Sequence, residues 1–193
     1  MDSSWQTFVT ECESCQRCEL AATRQHVVVW RGHVPSHLML IGEGPGAEED
    51  RQGKPFVGRS GQLLDILFTA FGLAENNYHI GNIIKCRPPG NRNPLEEEVQ
   101  ACRPLLERQI QFVKPQVIIL LGGVAYKAFT GDQTPISRVR GKFFEQDGYY
   151  VMPTFHPAYV LRDNRQRKKL WADIGIARRR LEELGLLEPL SFV

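Results

Sequence analysis

The chain has 193 residues, which is the size of one ordinary globular domain, and residues 1–193 are predicted to form a single domain. Hydrophobic residues make up 42% and charged residues 24% of the sequence, which is typical of soluble globular proteins and argues against a disordered chain. The formal net charge of +2 is too small to indicate nucleic-acid binding by itself. Any binding to nucleic acid would therefore have to come from a local basic patch.

Four short apolar runs are predicted to be buried parallel strands, because each is too short for a buried helix and ends in Gly, Pro or polar residues. They are Leu38–Ile41, Tyr78–Ile84, Val117–Leu121 and Tyr149–Pro153. Helical periodicity follows each strand in turn, at Gly61–Phe71, Leu95–Val113, Ala125–Phe129 and Gln166–Leu184. Val27–Trp30 is a further candidate for a short strand, at an edge or in a hairpin. Strands alternating with helices predict an α/β sandwich with a largely parallel sheet.

The segments that follow the four strands are the most unusual stretches of the sequence. They read GEGPGAEED, KCRPPGNRNP, GGVAY and TFHPAYVLR. In an open parallel sheet, ligands bind in the crevice beyond the carboxyl ends of the strands. The sequence therefore predicts one composite site at one edge of the sheet.

No apolar run approaches the roughly 20 residues that are needed to span a bilayer. The N-terminus carries acidic and polar residues and lacks the charged-then-apolar pattern of a signal peptide. A cytoplasmic protein is therefore expected, with no membrane contact, and a monomer is the default expectation.

Five cysteines in a reducing compartment favour a metal site over a disulfide framework. Cys15 and Cys18 form a C-x2-C pair, while Cys86 and Cys102 lie far downstream. Cys12 offers a competing C-x2-C pair with Cys15, so spacing alone leaves the ligand set open. Thiolates suit either zinc or an iron–sulfur cluster, and the alternative for the two downstream cysteines is simple burial as small hydrophobic residues.

The first loop, GEGPGAEED, has glycines that allow a close approach of backbone to a ligand, but it lacks the Lys-Ser/Thr ending of a P-loop. Glu43 and Glu49 are candidates for activating water, whereas Glu48 and Asp50 are expected to form a solvated acidic turn. In the segment that follows, Phe56 is a candidate for stacking on a flat ligand, with burial in the core as the alternative.

The second loop combines a strand-end amide with basic side chains. Asn82 falls at the end of its strand, where its donor and acceptor are able to read the edge of a pyrimidine or to cap the local turn. Arg87 and Arg92 follow within KCRPPGNRNP and are candidates for contacts with nucleic acid.

The third loop places His156 directly after a strand, and this position favours a role in chemistry over a structural role. Arg162 opens the densest basic run of the chain, which forms either a solvated helix face or a surface that neutralises phosphates. Val160 and Leu161 are flanked by polar residues and are expected to be exposed apolar tips that wedge between bases.

Taken in order and spacing, these motifs resemble those of family 4 uracil-DNA glycosylases. The likeness is carried by GEGPGAEED-x2-GKPFVG-x2-GQLLD, N-x2-KCRPPGNRNP and TFHPAY, and it extends from Cys15 to about Trp171. The resemblance implies an α/β/α sandwich around a four-stranded parallel sheet. It also implies an enzyme that flips uracil out of DNA and hydrolyses its N-glycosidic bond.

The resemblance further assigns roles to particular residues. It implies a [4Fe-4S] cluster bound by Cys15, Cys18, Cys86 and Cys102, with Cys12 free. Uracil would stack on Phe56 beside Gly44, and Asn82 would read its polar edge. The family associates activity with the positions of Glu43, Glu49, Asn91 and His156.

One departure concerns Gly44. Better-known uracil-DNA glycosylases carry GQDPYH in this loop, with an Asp that activates water, and here the matching residue is Gly44. The resemblance therefore leaves the water-activating group open between Glu43, Glu49 and backbone carbonyls that orient the water.

Two other classes of protein remain as alternatives. One is a non-catalytic iron–sulfur or zinc protein that binds nucleic acid, and the presence of Phe56, Asn82 and His156 argues against it. The other is a nucleotide hydrolase that uses GEGPG as its phosphate loop, and the missing Lys-Ser/Thr ending argues against that.

Overall fold

The computed structural model describes residues 3–190 and contains one six-stranded sheet in the order β1-β3-β2-β4-β6-β5. The central strands β3, β2, β4 and β6 are parallel, and β1 and β5 pair antiparallel at the two edges. The strands are β1 Arg31–Gly32, β2 Leu38–Gly42, β3 Tyr78–Asn82, β4 Val117–Leu121, β5 Phe144–Gln146 and β6 Tyr149–Thr154.

Helices connect the strands and cover both faces of the sheet. They are α1 Ser3–Glu13, α2 Ala47–Gln52, α3 Arg59–Ala70, α4 Glu96–Val113, α5 Gly123–Thr130, α6 Ile136–Val139, α7 Pro157–Arg162 and α8 Arg167–Glu183. One face is buried under α1, α4 and α5, through residues such as Phe8 and Leu106. The other is buried under α3 and α8, through residues such as Leu64 and Ile174. The predicted α/β/α sandwich is confirmed.

The four predicted strands and four predicted helices are confirmed to within about two residues at most of their ends. The strand predicted at Tyr78–Ile84 ends at Asn82, because Ile83 and Ile84 are buried after the chain has left the sheet. The predicted four-stranded parallel sheet is confirmed as the centre of the sheet, and two antiparallel edge strands, β1 and β5, extend it. Their short, half-buried sequences carry little apolar signal.

The strand suggested at Val27–Trp30 is wrong. Val27, Val28 and Val29 are buried, and the Val28 N–H donates to the Lys85 carbonyl at 2.7 Å, but the segment forms no strand ladder. The edge strand begins after it, at Arg31. Burial of this segment against its neighbours accounts for its apolar sequence.

Within residues 3–190, no helix is long and apolar enough to cross a membrane.

Candidate active site and cysteine site

The structure brings the first two loops together at the carboxyl ends of β2 and β3. Gly42 and Asn82 are paired in the register of these parallel strands. A Cβ at Gly42 would lie 2.4 Å from Asn82 Oδ1 and 2.8 Å from the Phe56 ring, so these three residues are in direct contact. Residues from the first two loops therefore meet at Gly42, as predicted for a composite site. Only glycine fits at this position, because the backbone of β2 lies so close to Asn82 and Phe56.

Asn82 is only 1% exposed, and its side-chain oxygen accepts no hydrogen bond from the described residues. A buried polar atom without a partner costs about 1–3 kcal/mol relative to a paired one. Unpaired buried acceptors of this kind are uncommon in native proteins and call for a physical reason. A ligand that donates an N–H at this position would supply the missing partner.

Phe56 is held in an unusual backbone conformation beside Asn82. Its φ is 55°, a left-handed value that bulky residues rarely adopt, and its side chain is buried. Arg31 Nη1 donates to the Phe56 carbonyl at 2.9 Å. A Cβ at Gly61 would lie 1.6 Å from the same carbonyl oxygen, so only glycine fits there. The orientation of the Phe56 ring is thus fixed by contacts with two residues outside the loop.

His156 lies on the other side of Phe56, with the two ring centroids 5.6 Å apart and tilted by 30°. It caps α7, because its Nδ1 accepts a hydrogen bond from the Ala158 N–H at 3.1 Å. A neutral imidazole carries one proton, so Nε2 bears it and is a donor. Burial, together with the charge of Arg162, lowers the pKa of His156 to about 4. His156 is therefore a neutral hydrogen-bond donor at physiological pH.

Glu43 directly follows β2 and is half-buried. Burial raises the pKa of its carboxyl, and the carboxyl makes no hydrogen bond with the described residues. Next to it, a Cβ at Gly44 would lie 2.7 Å from Ile84 Cγ1. A water-activating aspartate therefore does not fit at position 44 without movement of Ile84, which explains the departure noted in the sequence.

Glu49 has a different environment from Glu43. One of its carboxylate oxygens accepts backbone hydrogen bonds from Val57 at 3.0 Å and Gly58 at 2.9 Å. Glu49 therefore ties the first loop to the segment that carries Phe56, and this contact gives it a role in ordering the site.

Asn91 and the nearby arginines make contacts within their own loop. Asn91 is exposed with a φ of 55°, and its side-chain oxygen accepts a hydrogen bond from Arg87 Nε at 2.7 Å. Arg92 forms a two-pronged ion pair with the buried Glu98 at 2.8 and 2.6 Å. These bonds shape the loop, and the catalytic role of Asn91 and the DNA contacts of both arginines stay predictions.

The expectation for Val160 is wrong. Val160 is fully buried in the core between α3 and α8, and Leu161 is half-buried. Both residues lie on the short helix α7, whose inward face packs against α3, so the polar residues beside them in the sequence do not indicate exposure. Arg162 is exposed, as a DNA contact requires.

The two acidic residues expected to be solvated differ. Glu48 is exposed and pairs with Arg51, as expected for a surface turn. Asp50 is 2% exposed, and its Oδ1 accepts backbone hydrogen bonds from Gln25 at 2.9 Å and His26 at 3.2 Å. Asp50 therefore anchors the segment that follows the N-terminal cysteines, and the expectation of a solvated residue there is wrong.

Four cysteines from three segments of the chain line one small apolar cavity. They are Cys15, Cys18, Cys86 and Cys102. Cys12 is fully buried and is not part of this lining among the described residues. No group of three or more His, Cys, Asp or Glu side chains within residues 3–190 is arranged to hold a metal ion.

Three basic residues, Arg17, Arg24 and Lys85, also line the cysteine cavity. Arg24 Nη1 donates to Cys86 Sγ at 3.4 Å, and its Nη2 donates to the Cys15 carbonyl at 2.6 Å. Burial raises the pKa of the Cys86 thiol to about 11. Without a bound cation, this sulfur therefore stays protonated at neutral pH.

Sequence reasoning missed several residues that build the site. Arg31, which lies outside every motif, and Gly61, which opens GQLLD, fix the backbone of Phe56. Gly122 packs against His156, since a Cβ there would lie 3.0 Å from the His156 Cβ. The groove beside His156 is also lined by Lys169. The GGVAY segment was the available signal for Gly122, because it follows β4 at the same edge of the sheet.

Comparison with known proteins agrees with this geometry. Residues 30–175 match the family model described as the uracil DNA glycosylase superfamily. The chain is 41% identical over 177 residues to the type-4 uracil-DNA glycosylase of Thermotoga maritima, covering 90% of this chain and 92% of that protein. It is 37% identical over 194 residues to the type-4 enzyme of Archaeoglobus fulgidus, covering 96% of each chain. The chain belongs to the uracil-DNA glycosylase superfamily.

Proposed function

We propose that this protein excises uracil from DNA by hydrolysing its N-glycosidic bond, which leaves an abasic site for base-excision repair. Family membership and relatives named type-4 uracil-DNA glycosylases over most of their length support this activity. The observation that carries the proposal is the unpaired Oδ1 of Asn82 beside the Phe56 ring. Uracil has the N3–H donor that this acceptor lacks.

The side-chain amide of Asn82 would determine which base the site accepts. Its Oδ1 would accept from uracil N3–H while its Nδ2 donates to O4, and the Phe56 ring would stack on the base. Cytosine has an acceptor at N3 and a donor at position 4, so both contacts would become repulsive. A site that pairs its polar groups with the correct base rejects an analogue that leaves them unpaired.

His156 is the group that would stabilise the leaving base. Cleavage of the C1′–N1 bond places negative charge on uracil O2 and positive charge on the sugar. The Nε2–H of neutral His156 would donate to O2, and a preorganised donor of this kind in a buried site typically contributes about 2.7–4 kcal/mol to catalysis. The hydrogen bond to Nδ1 keeps the proton on the required nitrogen.

Glu43 is the better of the two candidates for activating water. Burial raises the pKa of its carboxyl, which suits a general base, and no protein hydrogen bond competes for it. Glu49 already accepts two backbone hydrogen bonds through one oxygen. Its proposed part is therefore to hold the loop and, through its other oxygen, to assist the water.

The uracil nucleotide must leave the stacked duplex before these groups are able to reach it, which costs about a few kcal/mol. Exposed cations near His156 would bind the flanking phosphates and so offset part of that cost. Arg162 and Lys169 lie next to the groove at His156, and Arg87 lies on the second loop. Half-buried Leu161 is the one remaining candidate for a contact with the bases.

Cys15, Cys18, Cys86 and Cys102 are the proposed ligands of a [4Fe-4S] cluster. All four residues line one cavity, and the buried Lys85 has no carboxylate within ion-pair distance among the described residues. An anionic, thiolate-bound group would balance the charge of Lys85. Such a group would supply a cross-link between the N-terminal arm and the body of the protein, with no part in bond cleavage.

Uracil release from a synthetic oligonucleotide tests the proposed activity. Wild-type protein should generate alkali-labile abasic sites at uracil and none at thymine, whereas His156→Ala should lose most of the rate while retaining affinity for DNA. Binding without any release above the His156→Ala background would contradict the enzyme and favour a non-catalytic DNA-binding protein.

The cysteine site has a separate readout. Purified protein should be brown, with broad absorbance near about 400 nm and iron in the preparation. A colourless, zinc-containing protein that still releases uracil would overturn the cluster and leave the glycosylase intact. The single domain, the monomeric state and the cytoplasmic location predicted from the sequence belong to the same proposal.

A further inference from the structure

Lys85 contacts both the cysteine site and the proposed uracil site. Its side chain is 1% exposed, and its Nζ donates to the backbone carbonyl of Asn82 at 2.8 Å. Lys85 also lines the cysteine cavity and directly precedes Cys86 in the chain. One residue thus contacts both sites.

A buried network fixes the position of the Lys85 ammonium. Nζ also donates to Gln109 Oε1, and Gln109 Nε2 donates to the Val29 carbonyl at 2.9 Å. Gln109 Nε2 lies 2.8 Å from His79 Nε2, and His79 Nδ1 lies 3.0 Å from the His33 carbonyl. Since a carbonyl only accepts, His79 Nδ1 carries the proton and its Nε2 accepts from Gln109.

Gln109 Oε1 accepts from Lys85 while Gln109 Nε2 donates to Val29 and His79, so the orientation of the Gln109 amide is determined. Lys85 is therefore not free to turn towards another acceptor without leaving buried groups unpaired, which costs about 1–3 kcal/mol for each group. The carbonyl of Asn82 is held where β3 leaves the sheet, at the residue whose amide faces Gly42 and Phe56.

We propose that Lys85 is a positioning residue for base recognition, which links the cysteine site to Asn82. The inference rests on the proposed function, because it concerns how Asn82 presents its amide to uracil. Lys85 contacts no substrate. It acts by fixing the peptide that carries Asn82, and its own backbone is joined to the cysteine site through the peptide bond to Cys86.

A double-mutant cycle tests this role. The readout is the ratio of affinities for an oligonucleotide with one uncleavable 2′-fluoro-2′-deoxyuridine and for the same oligonucleotide with thymidine. Lys85→Met should lower this ratio about tenfold while affinity for the thymidine oligonucleotide stays within about twofold. In an Asn82→Ala background, Lys85→Met should have no further effect on the ratio.

Ser36→Ala is the matched control, because Ser36 is a buried side chain that donates to the Leu38 carbonyl at the opposite end of the sheet. It should leave the ratio unchanged. Absorbance near about 400 nm reports whether each variant keeps its cysteine site. If Lys85→Met does not fold, Gln109→Met replaces it in the same cycle, since it removes the second acceptor of Nζ.

An unchanged ratio in the variant, or an additive effect in the Asn82→Ala background, would overturn the positioning role. Additivity would mean that Lys85 acts on stability alone. Failure of the proposed function looks different, because wild-type protein would then neither release uracil nor prefer the uracil analogue.

Discussion

At the scale of single residues, the backbone conformation of Phe56 depends strongly on its contact with Arg31. A left-handed φ in a bulky residue costs of order 1–3 kcal/mol and persists only where surrounding contacts hold it. Arg31 supplies such a contact through the Phe56 carbonyl and is itself held by Asp65 and by the Tyr78 hydroxyl. The proposed stacking of uracil on Phe56 would therefore depend on an arginine outside the motif.

Arg31→Ala should lower kcat/KM for uracil release by about tenfold, because the ring would lose its preorganised orientation. This factor corresponds to about 1.4 kcal/mol, within the strain that Arg31 helps to hold. Single-turnover rates and DNA affinity measured on the same oligonucleotide would show the effect.

Asp65→Ala is the matched control, since Asp65 pairs with Arg31 but makes no hydrogen bond with Phe56 among the described contacts. Its effect should stay within about threefold. Equal losses in Arg31→Ala and Asp65→Ala would show that the ion pair, rather than the bond to the Phe56 carbonyl, is what matters.

At the scale of elements, the sequence predicted those that bury a continuous apolar stripe. Val117–Leu121 and the long helix over Glu96–Val113 match because burial and periodicity agree there. Helix α1, which buries Trp5, Phe8, Val9 and Cys12, was not predicted, since its remaining positions are polar. The edge strand at Arg31–Gly32 was missed because it is fixed by pairing with β3 and carries no pattern of its own.

The site was predictable where chemistry follows a strand, as at Asn82 and His156, because the topology brings strand ends to one edge. It was not predictable where a side chain arrives from elsewhere. Arg31 reaches Phe56 across 25 positions of sequence, and Gln109 reaches Lys85 across 24. Such contacts form only when the sheet and helices pack together, so local sequence periodicity does not predict them.

Helix α2 carries two acidic residues, Glu48 and Asp50, that differ in burial and therefore in their expected effect on stability. Asp50→Ala should lower the free energy of unfolding by about 1–3 kcal/mol, because the N–H groups of Gln25 and His26 would lose their acceptor. Glu48→Ala should change it by less than about 0.5 kcal/mol, since Glu48 pairs only at the surface. Urea unfolding of both variants measures the difference, and equal values would contradict the anchoring role of Asp50.

At the scale of the whole molecule, the sheet separates two functions onto different sides. The cysteine cavity lies in the layer of α1 and α4, whereas His156 and the basic helix α8 adjoin the other layer. Asn82 and Lys85 stand where these regions meet, at the end of β3. Loss of the cysteine site should therefore weaken the proposed base recognition before it affects the groove at His156 that is proposed to bind phosphate.

Two buried histidines give the whole fold a sensitivity to acid. Burial lowers the pKa of His79 to about 3 and that of His156 to about 4, from a usual value of 6.5. Between pH 6.5 and about 4, the unfolded chain binds a proton on each histidine that the folded protein does not bind. Stability is therefore highest above pH 6.5 and falls as the pH decreases.

At pH 5 the loss should be on the order of 2 kcal/mol for each histidine, relative to pH 7. Urea unfolding of wild-type protein and of His156→Asn at both pH values isolates the contribution of His156. The two samples are matched by their absorbance near about 400 nm, so that they contain equal amounts of the cysteine site. The variant should lose about 2 kcal/mol less than wild type between pH 7 and 5, because position 156 no longer takes up a proton on unfolding. Identical losses would mean that His156 titrates alike in the folded and unfolded chains, which its buried position between Phe56 and the capped start of α7 does not allow.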